Sequence, residues 1–92
     1  MIFNFNYKEK TFVIHCHKPK KLFYTSARGQ YREIYLMYDY HYNNYVCVIC
    51  VMHKQFKVES IICKETKELL IDKLKNNLPN SIISLIKECD LC

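Results

Sequence analysis

The chain reads as an α+β protein: an antiparallel sheet of four to five strands, made of β-hairpins over residues 2–62, followed by two C-terminal helices at about 65–77 and 81–90 packed on one face. Two observations predict this. Up to Ile62 the apolar residues are mostly Phe, Tyr, Val and Ile, alternating or in short runs, which is the period of a strand. Beyond Cys63 they recur at helical spacing, with Lys and Glu between them.

Each element follows from its local chemistry. Ile2 to Tyr7 alternates as IFNFNY, Lys8-Glu9-Lys10 is a polar turn, and Thr11 to His17 returns as TFVIHCH, together a first hairpin. Pro19 breaks the second strand, and Leu22 to Thr25 forms a short edge strand before the turn signal Ser26-Ala27-Arg28-Gly29. Tyr31 to Tyr42 and Tyr45 to Met52 are the longest strand-like segments, joined at Asn43-Asn44 because Asn tolerates the left-handed conformation of a tight hairpin. Phe56 to Ile62 adds one more strand. Leu70, Ile71, Leu74 and Leu78 share a stripe on the first helix, which Asn76-Asn77 ends and Pro79 forbids from continuing. Asn80 or Ser81 caps a second helix that carries Ile82, Leu85, Ile86 and Cys89.

Pairing about Asn43-Asn44 predicts which residues share a face. Tyr42 meets Tyr45, Tyr40 meets Cys47, Tyr38 meets Ile49, Leu36 meets Val51 and Ile34 meets His53 on one side. His41, Asp39, Met37 and Tyr35 lie on the other with Val46, Val48, Cys50 and Met52. Both faces are apolar, yet a pair of amphipathic helices covers only one. The second must be covered by the first hairpin, by another subunit or by a partner.

Ninety-two residues make one domain, 1–92, with a modest core. No run of eighteen apolar residues occurs and Asn4, Asn6 and Lys8 interrupt the first hydrophobic stretch, so a soluble cytoplasmic protein is expected. Six cysteines beside one Gly and two Pro do not fit a loop-rich secreted scaffold, and reduced thiols are expected. The stretch HYNNYVCVICVMH offers Cys47 and Cys50 as metal ligands, but residues three apart on a strand face opposite ways, so they read as core. Cys89 and Cys92 share a helical face at a fraying end, and neither a metal nor a cofactor is expected.

For catalysis the material is thin. His15, His17, His41 and His53 are candidate bases, Asp39 and His41 read as an exposed polar pair, and Gly29 belongs to no phosphate-binding loop. No catalytic residue is assigned and the chain is expected not to be an enzyme. The charge is more telling. Residues 1–32 hold seven basic side chains against Glu9 alone, whereas the remainder holds seven basic against eight acidic. The net charge of +5 therefore belongs to the first third, as a localised basic surface.

That surface interleaves Lys18, Lys20, Lys21, Arg28 and Arg32 with aromatic rings, and six of the eight tyrosines lie between Tyr31 and Tyr45. Tyrosine brings large contact area at low entropic cost. Lys18, Lys20, Lys21, Tyr24, Arg28, Tyr31, Arg32, Tyr38 and Tyr40 are thus the expected partner-binding residues. The expected partner is an acidic or nucleic-acid-binding protein surface, or nucleic acid itself, with a homodimer through the uncovered sheet face as a further option. Heavy use of Lys, Asn, Ile and Tyr suggests an AT-rich coding sequence, as in phages, mobile elements and some low-GC bacteria, a hint about origin and none about mechanism. The expected function is a small non-enzymatic inhibitor of a host defence or nucleic-acid-processing complex, comparable in character to inhibitors of CRISPR effectors. A nucleic-acid-binding regulator is the alternative, and a small basic ribonuclease the third.

Overall fold

A computed structural model describes residues 1–25, 28–52 and 56–89. Its elements run β1 (Ile2–Tyr7), β2 (Lys10–His15), β3 (Lys20–Thr25), β4 (Tyr31–Asp39), β5 (Asn44–Met52), β6 (Phe56–Lys64), α1 (Lys67–Leu74) and α2 (Asn80–Glu88). The class is α+β. Six strands divide between a four-stranded antiparallel meander in the order β3-β4-β5-β6 and a separate β1-β2 hairpin. No helix among the described residues is long and apolar enough to cross a membrane.

The meander is sandwiched. On one face Leu22, Ile34, Leu36, Cys47 and Ile49 pack under Leu70, Leu74, Leu78, Ile82, Ile83 and Ile86 of the helical layer. On the other, Phe5, Ile14 and Cys16 of the hairpin region pack on Met37, Val46, Val48 and Cys50. Of the coverings the sequence allowed for the second face, the fold uses the first hairpin, with β1 against β6 and β2 against β4. Coverage ends near Tyr35, whose ring centroid lies 5.7 Å from that of Phe5.

The β4-β5 hairpin differs from the sequence expectation in register. Its turn is Tyr40 to Asn43, not the pair Asn43-Asn44, so Tyr38 and not Tyr42 meets Tyr45, Leu36 meets Cys47 and Ile34 meets Ile49. The cause is Asp39: its Oδ1 accepts the backbone N–H groups of His41 (2.9 Å) and Tyr42 (3.1 Å), which bends the chain early. Asn43 still adopts the left-handed conformation, at φ 53°. Because β4 slides by an even number of residues against its expected partners, its inward and outward faces are unchanged.

Other boundaries shift for equally local reasons. The β1-β2 turn is two residues, Lys8 and Glu9, both at positive φ (49° and 62°), with Tyr7 opposite Lys10. Thr66 caps α1 by accepting Leu69 N–H at 3.2 Å, so that helix begins at Lys67 and is shorter than the expected 65–77. Neither Asn80 nor Ser81 caps α2. Pro79 holds the N-cap in extended conformation without a side-chain hydrogen bond, and the helix starts at Asn80. At its other end the Lys67 ammonium donates to the carbonyls of Lys87 (2.9 Å) and Cys89, which ties the two helices together.

Candidate functional site

Strand β3 is an edge: among the described residues it pairs only with β4. Its alternation KKLFYT sends Leu22 into the helix-side core and leaves Lys21, Phe23 and Thr25 on the opposite face. The β1-β2 hairpin does not extend over this strand, and Phe23 is 58% exposed. Thr25 pairs with Tyr31, itself 62% exposed. The part of the sheet face left open is thus small, aromatic and basic.

The nine expected contact residues divide into two groups along β3. At its start are Lys18 and Lys20, both exposed, and nearby Tyr40, whose ring stacks on His17 with centroids 4.3 Å apart. Tyr38 lies at this end too, turned to Tyr45 at 5.1 Å, with its hydroxyl donating to Asn43 Oδ1 at 3.2 Å. At the other end are Tyr24, Arg28, Tyr31 and Arg32. Lys21, between the ends, is committed within the fold: its ammonium lies 3.4 Å from Glu33 Oε1 and over the ring of Phe23.

Glu33 is only 2% exposed, in the middle of β4 opposite Phe23 and Cys50. Among the described residues its Oε1 has no hydrogen-bond partner, and the Lys21 ammonium offsets its charge. Arg32 is likewise engaged, in a two-pronged bond to Glu59 (Nε to Oε2 2.8 Å, Nη2 to Oε1 3.2 Å). Lys18, Lys20 and Arg28 make no ion pair among the described residues, which leaves them as the cations available to a partner.

Tyr24, Arg28 and Arg32 also line a groove of about 720 Å³ between the sheet and the α1–α2 connection. Ile49, Ile62 and Leu78 supply apolar surface, and Glu59, Asn76 and Asn77 supply polar groups. Partial burial raises the Tyr24 phenol above its ordinary value, opposed by the positive charge of Arg32.

Three of the histidines weighed in the sequence form a cluster with two tyrosines: His17 stacks on Tyr40, and His15 and His41 lie against each other and against the ring of Tyr42. His15 lies 4.8 Å from His41 between ring centroids and 5.9 Å from Tyr40, and its Nδ1 is buried without a hydrogen-bond partner. Asp39 is not half of an exposed pair with His41. It is 2% exposed and joins three segments, since its Oδ2 also takes the His15 N–H at 3.4 Å. The one sequence signal for this was the proximity of Asp39 to His41; that β2 ends against the β4-β5 turn is a tertiary fact.

Cys47 and Cys50 lie in the two different cores, as a strand requires. Burial pushes both thiols up to about 12, so at neutral pH both are protonated. Among the described residues no three ligating side chains converge on a metal-sized space. His53 and Cys92, weighed in the sequence as ligands, lie outside the described residues. No family model, curated protein or solved structure matches the chain.

Proposed function

We propose that this chain is a small non-enzymatic binding protein that engages an acidic or nucleic-acid-binding protein surface through β3 and its flanking turns. The observation that carries this reading is the open edge strand. Phe23 and Tyr31 stand on the uncovered sheet surface, and Lys18, Lys20 and Arg28, which make no ion pair among the described residues, lie around it. An aromatic centre with a charged rim is the anatomy of a protein interface. Its positive field speeds encounter with an acidic surface. An inhibitor made by a mobile element against a host defence or nucleic-acid-processing complex has these requirements, and the AT-rich coding bias agrees with such an origin.

The test is a pull-down from lysate of the source cell, with and without nuclease, using the native chain and a Phe23→Asp/Lys20→Glu variant. A protein retained after nuclease treatment by the native chain but not by the variant is the expected result. Equal retention by both would place the interface elsewhere and sink the reading. A nucleic-acid partner has one specific feature in its favour, the stacked His17–Tyr40 pair beside Lys18. Binding to single-stranded RNA that weakens steeply with salt would support it, and no binding at low salt would remove it.

A further inference from the structure

We propose that the groove between the β3–β4 end of the sheet and the α1–α2 connection is a site for a nucleoside phosphate, on the opposite side of the sheet from Phe23 and Tyr31 and sharing Arg28 with the protein-binding surface. The volume of about 720 Å³ lies within the range of small-ligand sites. Its chemistry is mixed in a way that selects the ligand. Ile49, Ile62 and Leu78 give an apolar lining that a bare inorganic anion does not need. Asn76 and Asn77 present amide groups, which combine donor and acceptor and match the edge of a nucleobase in a way a fatty chain cannot use.

The charges are arranged for one anionic group. Glu59 already neutralises Arg32 through the two-pronged bond, so Arg32 forms a fixed wall. Arg28 is exposed and makes no ion pair among the described residues, which leaves the groove one net positive charge at its rim. A phosphate monoester there gains a charge-assisted bond while the base lies on the apolar lining. Tyr24 adds an aromatic ring, and its raised phenol stays neutral next to a phosphate. Asn77 Nδ2 makes only a long contact, 3.5 Å, to Lys73 O, so its amide stays available to a ligand.

Adenosine monophosphate titrated into the isotopically labelled full chain, followed by amide NMR, tests this. Saturable shifts centred on Tyr24, Arg28, Arg32, Asn76 and Asn77 are expected, with adenosine binding about tenfold more weakly for want of the phosphate. Arg28→Ala, at an exposed position that leaves the fold intact, should weaken the nucleotide by about tenfold, and Asn76→Ala should erode the difference between the nucleotide and inorganic phosphate. If a short RNA displaces the nucleotide at lower concentration, the site takes a nucleotide within a strand; if it does not, the site takes the free nucleotide. Absence of saturation by about 10 mM, shifts centred elsewhere, or inorganic phosphate binding as well as the nucleotide would overturn the assignment. Phe23→Asp should leave this titration unchanged, so the groove and the protein-binding face fail or stand separately.

Discussion

Asp39 shows how much one side chain can organise. A carboxylate with almost no exposure accepts three backbone N–H groups from two parts of the chain, so it sets the β4-β5 turn and anchors the end of β2. Replacing Asp39 with Ala leaves those donors short of an acceptor and should cost about 2–4 kcal/mol by urea denaturation, since bonds to a charged acceptor count for more than neutral ones. A loss near zero would mean that solvent satisfies these groups. Asp39 was visible in the sequence only as a polar strand residue beside His41, because a buried carboxylate and an exposed one have the same local spacing. The opposite-facing cysteines were legible, since strand period alone separates Cys47 from Cys50.

At the scale of elements, the first hairpin carries a measurable strain. Its two-residue turn needs positive φ at both positions, and the chain supplies Lys8 and Glu9, which lack the tolerance of Gly or Asn. Substituting Asn-Gly for this pair should stabilise the protein by about 1–2 kcal/mol, read as a rise in the thermal midpoint. An unchanged or lower midpoint would show that the native turn is not strained. Periodicity located every strand and both helices to within a few residues, because alternation and helical spacing are local properties. It misjudged boundaries where one side chain acts at short range: Thr66 at the start of α1, and Asp39 at the β4-β5 turn. The edge position of β3 was also legible, from Pro19 and the charge beside it.

Across the whole molecule, the first hairpin acts as the lid of the second core. Phe5 and Ile14 cover Met37, Val46 and Val48, and without them the meander would expose an apolar face. Phe5→Ala should cost about 3–5 kcal/mol and speed amide exchange in β1 and β2 well before β4 and β5. Sedimentation of this variant should show self-association through the uncovered face, while the native chain, with Phe23 and Tyr31 the large apolar side chains exposed there among the described residues, associates far less. Equal masses for the two proteins, together with uniform exchange, would contradict the lid. The nine contact residues chosen from composition were partly resolved by the same packing. Lys21 and Arg32 turned inward to Glu33 and Glu59, whereas Lys18, Lys20 and Arg28 remained outside.

The α+β class, the order of the elements, the two apolar faces of the central hairpin and the concentration of charge in the first third were all readable from the residues in order. These follow from periodicity and composition, which local residues carry in full. Long-range packing alone settled that the hairpin covers the second face, that the rings of His15, His17, His41, Tyr40 and Tyr42 gather where β2 ends beside the β4-β5 turn, and that Tyr24, Arg28 and Arg32 share a groove with the α1–α2 connection. The reason is physical: such contacts join segments distant along the chain, and their free energy depends on which surfaces meet rather than on the pattern within either one.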